Sequence, residues 1–260
     1  MKKIATIFFI ALTVVLCSAV KVEKKSRKVK KIVIDAGHGG KDIGCKGKRV
    51  KEAEIALKVA LNLGEIIKEN LPDVKVIYTR DKDEFIELHD RAGIANKNNA
   101  DLFVSIHCNS APSLTISGSE TYTMGLHTSE GNLDVAKREN SVILAEENYK
   151  ENYGGYDPNS PISHIMLANF QSAYLNRSLK FASYVEDEFK ENLKRNSRGV
   201  KQAGFLVLWK TTMPSSLIEI GYLTNNDDEK FLKEEENQKN VANSIFHAFK
   251  KYKENIEGNN

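Results

Sequence analysis

The chain has 260 residues, of which 41% are apolar and 28% are charged, so it is long enough to bury a full core in one large domain with appendages. Its 38 basic and 35 acidic residues leave a net charge of only +3, and bulk charge therefore indicates no nucleic-acid partner. The composition also excludes repeat and low-complexity architectures, because no such tract is present.

Residues 1–19 have the pattern of a signal peptide. Two lysines precede an apolar run, residues 4–16, that is too short to span a bilayer comfortably, and a small-residue cleavage site follows. We therefore predict export to the periplasm or cell envelope, with cleavage after Ala19. Two alternatives stay open. One is an uncleaved anchor, and the other is lipidation of Cys17, although Leu16 stands where lipoprotein signals usually have a small residue. We expect no other membrane contact.

Residues 20–31 form a basic run that we interpret as a solvated linker. The alternative is contact with an anionic surface such as lipid headgroups or cell wall. A buried strand is then predicted over residues 32–34, and a glycine-rich turn follows it. His38 therefore stands at the carboxyl end of a strand, where open α/β sheets bind their ligands.

The next elements alternate between helix and strand. Residues 52–70 have an apolar stripe at helical spacing, which places Glu52 at a helix N-terminus, where its default role is a favourable charge on the helix dipole. A strand over 74–79 and a helix over 86–98 follow. We expect Arg80 and Arg91 to orient loops rather than to catalyse.

A third buried strand is predicted over residues 102–109. If it runs parallel to the first strand, His107 reaches the same edge of the sheet as His38. Two imidazoles at one edge are typical of a metal site. Cys108 points to the opposite face and is expected to be a small buried hydrophobe. A disulfide between Cys45 and Cys108 is the alternative in an oxidising compartment.

Beyond residue 118 the alternation of strands and helices is interrupted. Residues 118–124 are predicted to be a strand with one face in water, residues 132–150 a helix, and residues 164–193 a long amphipathic helix. Residues 130–161 have no place in the minimal sheet, so we treat them as an insertion. Its flanking histidines, His127 and His164, are expected to be surface or capping residues.

The final third returns to strands, over residues 205–209 and 215–220, and ends in a helix over 235–252. Glu219 lies between Ile218 and Ile220 in the second of these strands. An unpaired carboxylate in an apolar strand costs about 2–7 kcal/mol or more. Glu219 is therefore expected to be paired, protonated or bound to a metal.

These residues together indicate metal-assisted hydrolysis. Two histidines and a glutamate leave a tetrahedral zinc ion with one open position, and a second glutamate can take a proton from water. His38, Glu52, His107 and Glu219 form such a set, although spacing alone does not select Glu52 from the other acids.

Seven motifs extend this pattern along nearly the whole chain from residue 31 to residue 252. They are DAGHGG at 35–40, KEAEIAL at 51–57, YTRD at 78–81, ADLFVSIHCN at 100–109, GSETY at 118–122, RGVKQAGFLVL at 198–208 and PSSLIEIGYLTN at 214–225. Together they resemble the catalytic domain of zinc-dependent N-acetylmuramoyl-L-alanine amidases. The resemblance implies that His38, Glu52 and His107 bind Zn²⁺ and that Glu219 is catalytic.

The resemblance also implies an overall organisation. It predicts an α/β fold with a twisted mixed, mostly parallel sheet of about six strands and helices on both faces. The catalytic domain is expected over residues 32–253, with a helical insertion at 130–161 and a tail at 254–260. Ser215 and Ser216, which replace a usual small apolar pair, and Ile220 beside Glu219 are modest departures.

The implied activity is hydrolysis of peptidoglycan at the amide between the lactyl group of N-acetylmuramic acid and L-alanine. Two alternatives remain, a zinc peptidase that cuts within the stem peptide and a catalytically silent cell-wall binding module. Related amidases with an inserted helix are held inactive until a partner moves it, so the resemblance supports an activator protein that acts on residues 130–161. The alternative is that the insertion forms a substrate-binding wall or a solvated surface helix. The insertion offers five acids that could reach a metal: Glu130, Asp134, Glu139, Glu146 and Glu147.

Overall fold

A computed structural model of the chain describes residues 28–127, 129–168 and 173–258. The predicted signal peptide and most of the basic linker lie outside these residues. Within the described part, none of the helices is both long enough and apolar enough to cross a membrane.

Six strands form one sheet. They are β1 (Lys31–Ala36), β2 (Lys75–Tyr78), β3 (Leu102–Asn109), β4 (Ser119–Met124), β5 (Ser197–Ala203) and β6 (Ser215–Tyr222). Their order is β2-β1-β3-β6-β4-β5, and every neighbouring pair is parallel except β4 and β6, which are antiparallel. The predicted fold class, a mixed and mostly parallel α/β sheet of six strands, is confirmed.

The helices that the structure describes lie on both faces of this sheet. They are α1 (Glu52–Asn70), α2 (Leu88–Lys97), α3 (Glu130–Asn140), α4 (Tyr149–Asn152), α5 (Pro161–Ala168), α6 (Leu175–Glu191), α7 (Leu206–Trp209), α8 (Asn226–Lys233) and α9 (Glu235–Gly258), with a 3₁₀ helix at Ser141–Ala145. α9 continues five residues past the expected domain boundary at residue 253.

Strand alternation divides the core into two layers. Ile32 and Ile34 point to the layer that α1, α6 and α9 cover, whereas Val33 and Phe103 point to the layer that includes residues of α2, α3 and α7. The polar residues discussed below continue this second face toward the carboxyl ends of the parallel strands. The strand pattern therefore places the site beneath α3.

Three predicted elements are wrong. The helix predicted over residues 132–150 ends at Asn140, and a 3₁₀ helix follows before the chain turns at Asn148, which has a φ of 56°. Residues 205–209 do not form a strand, because β5 ends at Ala203 and the apolar residues that follow pack into the core as the short helix α7. The single long helix over 164–193 is also wrong, since α5 ends at Ala168 and α6 begins at Leu175. A short apolar run is compatible with either a strand or a helix, and periodicity alone does not decide between them.

Two further expectations are wrong because the residues concerned are buried. β4 has no face in water, because α6 covers it and Glu186 accepts a hydrogen bond from the Thr121 hydroxyl at 2.6 Å. His164 is not a surface residue either. It is 2% exposed, and its imidazole bonds to the Tyr156 hydroxyl and the Pro158 carbonyl.

Candidate metal and hydrolytic site

The turn after β1 presents His38 in a constrained backbone conformation. His38 has a φ of 60°, in the left-handed region that a non-glycine residue seldom adopts. Arg80 and Arg91 are buried and hold this turn, since both donate to the Ala36 carbonyl, and Arg91 donates also to the carbonyl of His38. The expectation that the two arginines orient a loop agrees with these bonds.

Glycine is required at position 37 because the turn passes directly over His107. A Cβ atom there would lie 2.5 Å from the His107 ring. The close approach brings the histidine of the first strand end and the histidine of β3 together, with 4.8 Å between their ring centroids.

Glu52 is the first residue of α1 and is completely buried. One carboxylate oxygen accepts a hydrogen bond from the Cys45 amide at 2.7 Å, and the other accepts one from the Cys108 amide at 2.9 Å. The loop before α1 and the end of β3 therefore fix the orientation of Glu52. A simple role on the helix dipole would not require these two contacts.

The orientation of His107 is set by a chain of buried polar groups. Its Nε2 lies 3.1 Å from the Ser105 hydroxyl, which donates to Asp35 at 2.5 Å. Asp35 also accepts bonds from Arg91 at 2.9 Å and from the Thr79 hydroxyl at 2.6 Å. Burial opposes ionisation of Asp35, but Arg91 and the hydroxyl bonds lower its pKa. Because Nε2 is engaged in this way, Nδ1 of His107 faces the site.

His38 is held through its other ring nitrogen. Its Nδ1 lies 2.7 Å from a carboxylate oxygen of Asp42, so Nε2 is the nitrogen that faces the site. Carboxylate or hydroxyl partners on the far nitrogen are the usual means of fixing a metal-binding imidazole.

Four side-chain atoms converge at this point, and the fourth comes from the insertion. Nε2 of His38 and Nδ1 of His107 are 3.2 Å apart, and each lies 2.9–3.1 Å from one oxygen of Glu52 and one of Glu139. These four residues form a group that can hold a metal ion. The structure thus brings His38, Glu52 and His107 together and selects Glu139 among the five acids of the insertion.

The charges in this cluster are strongly coupled. Burial disfavours a charged imidazole, yet Glu139 raises the pKa of His107 to about 9, and Glu52 raises that of His38 well above its usual range. In return, although burial opposes it, His38 lowers the pKa of Glu52 to about 2. A metal ion that binds here must therefore displace protons from the imidazoles.

Glu219 lies beside the cluster without sharing its contacts. It pairs in register with His107 across β6 and β3 and is fully buried. Among the described residues neither of its oxygens has a hydrogen-bond partner, and the nearest cation is Arg138 at 3.7 Å. Burial, and after it the charge of Glu139, raises the pKa of Glu219 well above the usual range of a carboxyl group.

The remaining candidate residues are the two cysteines and a second group of possible metal ligands. Cys45 and Cys108 are both free, so the alternative of a disulfide between them does not hold, and Cys108 packs in the core as expected. A second group of potential ligands, Glu87, His89 and Glu146, surrounds the N-terminus of α2. There Glu146 already accepts bonds from the Leu88 amide and the Tyr153 hydroxyl.

Sequence reasoning missed the residues that orient the ligands. Ser105 precedes His107 by two positions, so strand alternation alone puts both on one face. Asp42 follows His38 by four positions, but only the fold of the turn shows that they meet. Arg138 was missed because its role depends on where α3 docks.

Comparison with known proteins assigns the chain to a family. The family model described as N-acetylmuramoyl-L-alanine amidase matches residues 32–251. The chain is 34% identical to N-acetylmuramoyl-L-alanine amidase AmiC of Escherichia coli over 224 residues, which are 85% of this chain and 52% of AmiC. It therefore spans about half the length of that relative. It is 29% identical to AmiA of Escherichia coli, over 85% of this chain and 75% of AmiA.

Solved structures agree with this result. An N-acetylmuramoyl-L-alanine amidase from Clostridium difficile 630 superposes with a TM-score of 0.65 and 26% identity, over 87% of this chain and 97% of that one. The CwlD amidase of Clostridioides difficile, solved in complex with the GerS lipoprotein, gives a TM-score of 0.63 and 25% identity, over 86% and 98%.

These matches define the class of the protein as a cell-wall hydrolase with a mixed α/β sheet. The chain belongs to the N-acetylmuramoyl-L-alanine amidase family. The expectation from the sequence motifs, an enzyme of this family, is confirmed.

Proposed function

We propose that this chain is a zinc-dependent amidase that cleaves peptidoglycan between the lactyl group of N-acetylmuramic acid and L-alanine. The observation that carries the proposal is the convergence of His38, Glu52 and His107 beside the buried carboxyl of Glu219, which accepts no hydrogen bond from a described residue, in a chain of this family. His38, Glu52 and His107 would hold the metal, and Glu219 would act as the general base.

The donor set fits zinc. Imidazole nitrogens and a carboxylate oxygen are common zinc ligands, and ligands about 2.0–2.1 Å from a tetrahedral zinc ion stand about 3.3 Å apart. The two nitrogens are 3.2 Å apart and lie 2.9–3.1 Å from the Glu52 oxygen, close to that spacing. Bound zinc acts as a Lewis acid and lowers the pKa of water to about 7.

Glu219 is placed to move a proton during hydrolysis. Its carboxyl group faces the same side of the sheet as His107, and neither of its oxygens accepts a hydrogen bond from a described residue. It would take a proton from the attacking water and pass it to the nitrogen of the leaving alanine. Burial and the charge of Glu139 now raise its pKa. Removal of Glu139 would lower that pKa, so a larger fraction of Glu219 would be ionised at neutral pH and able to accept a proton.

The insertion at residues 130–161 would act as an inhibitory element. α3 places Glu139 at the fourth corner of the donor cluster and Arg138 3.7 Å from Glu219, so one helix covers both the metal position and the base. An activator protein would move this helix. A partner protein is in keeping with the related CwlD amidase, which was solved in complex with the GerS lipoprotein. A shift from mostly closed to mostly open requires about 5.5 kcal/mol of differential affinity.

Export fits a substrate that lies outside the cytoplasmic membrane. We propose that residues 1–19 are a signal peptide cleaved after Ala19, that the protein acts in the periplasm or cell envelope, and that residues 32–253 form the catalytic domain. Lipidation at Cys17 remains the alternative mode of membrane attachment. A chain shortened to begin at residue 20 should stay in the cytoplasm, and export of that chain would contradict the assignment.

The metal requirement tests the proposal directly. Chelation should abolish hydrolysis of purified peptidoglycan, and added zinc should restore it. Activity that persists after metal analysis has verified complete zinc removal would contradict the proposal. His38→Ala should lower the zinc content, whereas His247→Ala, on α9 outside the cluster, is the matched control and should retain it.

A further inference from the structure

A second polar centre lies next to the hydrolytic site and has no role in the mechanism above. Glu120 is 1% exposed and accepts hydrogen bonds from Arg198 Nε at 2.7 Å and from Lys201 Nζ at 2.6 Å. The hydroxyls of Tyr122 and Tyr222 also donate to it, each at 2.6 Å. Although burial opposes ionisation, Lys201 and the tyrosine bonds lower the pKa of Glu120. One carboxylate thus faces two cations, which leaves an excess positive charge.

This charge faces a large cleft near the site. The cleft has a volume of about 560 Å³, and its walls include Glu120, Tyr222, Arg198 and Lys201 on one side and residues of α3 on the other. Arg198 and Lys201 remain 36% and 21% exposed, so both reach the cleft. A lysine has three donors and an arginine has five, and each of these two makes one bond to Glu120.

The cleft lies one strand away from the proposed base. Glu120 and Glu219 are directly paired in the antiparallel ladder of β4 and β6, and side chains at such positions share a face with Cβ atoms about 4.5–5.5 Å apart. Arg198 and Lys201 extend from β5 on the far side of Glu120. Because both side chains bond to Glu120, their charges lie on the same face of the sheet as Glu219, two strands away from it.

A carboxylate on the stem-peptide residue after L-alanine would lie close to the scissile bond. A peptide extends about 3.3–3.6 Å per residue, so this carboxylate lies about 7 Å from the scissile amide.

Resting on the function proposed above, we propose that Arg198 and Lys201 form a subsite for the free carboxylate of the second stem-peptide residue, with Glu120 as their positioning residue. Charge-assisted bonds from guanidinium and ammonium groups are the usual way to bind a carboxylate. Glu120 holds both cations on one wall of the cleft. The enzyme should therefore discriminate between acidic and amidated stem peptides.

The test compares two soluble muropeptides that differ only in a carboxylate or an amide at the second stem residue. All enzymes in this test carry Glu139→Ala, which opens the site, and this parent enzyme should cleave the acidic substrate with a kcat/KM about 10-fold higher, the size expected for one charge-assisted bond, with the difference in KM. Lys201→Ala and Arg198→Ala should each reduce this preference, and the double variant should abolish it. Lys201→Arg, which keeps the charge, should retain it.

Lys180→Ala is the matched control, because Lys180 is exposed on α6 and lies outside the cleft. Its preference should equal that of the Glu139→Ala parent. Thermal unfolding of each variant checks that the fold is retained. Equal cleavage of both substrates by the parent, or a preference that survives in the folded double variant, would overturn the subsite alone. Failure of the parent to cleave either substrate at the lactyl amide would overturn the proposed function and the subsite with it.

Discussion

Glu139 provides the sharpest test of inhibition by the insertion. In the closed structure its carboxylate lies 3.1 Å from an imidazole nitrogen of His38 and 3.1 Å from one of His107, and Arg138 contacts its other oxygen. Removal of one partner from a buried ion pair costs about 3–5 kcal/mol, so loss of the two imidazole contacts weakens docking of α3 by about 3 kcal/mol or more. That free energy corresponds to about a 100-fold shift toward the open state.

We therefore expect Glu139→Ala to raise the rate of peptidoglycan hydrolysis by about 10- to 100-fold without an activator. The assay is release of soluble muropeptides from purified peptidoglycan by the zinc-loaded variant. Glu147→Ala removes an exposed acid from the same insertion and serves as the matched control with no expected gain. An unchanged or lower rate for Glu139→Ala, in a folded protein with normal zinc content, would refute the argument that this side chain blocks the site.

Three further predictions concern the base, the orientation of a ligand and the insertion as a whole. Glu219→Gln should retain zinc, measured by metal analysis, but lower turnover by about 10²–10⁴-fold because the amide cannot accept a proton. A near-normal rate would mean that another residue is the general base. Ser105→Ala should weaken zinc binding by about 10- to 100-fold, since His107 loses the partner that holds its Nε2. Titration with a competing chelator measures the zinc affinity, and an unchanged affinity would contradict this prediction. Replacement of residues 130–161 by a short glycine-serine loop should raise the hydrolytic rate, whereas loss of activity in a folded, zinc-loaded protein would indicate that the insertion binds substrate.

The pH dependence of metal binding gives another check. Despite burial, Glu139 raises the pKa of His107 to about 9, so this imidazole is protonated at neutral pH before a metal binds. Zinc binding must then release protons, and affinity should increase as the pH rises toward about 9. Calorimetry in two buffers of different ionisation enthalpy measures the release at pH 7. No proton release would contradict the charge assignment of the cluster.

Much of the fold could be predicted from the sequence because its central strands are strongly patterned. β1, β3 and β6 are short apolar runs that end in polar residues, and parallel pairing brings His38 and His107 to one edge. Glu219 stood out because a carboxylate between Ile218 and Ile220 is costly without a partner or a function. These inferences needed only strand alternation and the rule that parallel strands end together.

The rest depended on packing that a single sequence does not contain. Residues 205–209 are apolar enough for a strand but fold as a helical turn after Gly204, and no helix was predicted where α8 lies. Nothing in the spacing distinguishes Glu139 from the other acids of the insertion, because the choice depends on how α3 docks over the site. The position of Glu120 relative to Glu219 follows from the antiparallel pairing of β4 with β6, which is the exception in this sheet.

The central claim is the identity of the cleaved bond, and mass analysis of digested peptidoglycan measures it most directly. The zinc-loaded protein, with Glu139→Ala to open the site, is incubated with purified peptidoglycan and the products are separated. We predict stem peptides with a free L-alanine amino terminus and glycan strands with an unsubstituted lactyl group. Products cut within the stem peptide would indicate a zinc peptidase, binding without cleavage would indicate a cell-wall binding module, and either result would contradict the amidase assignment.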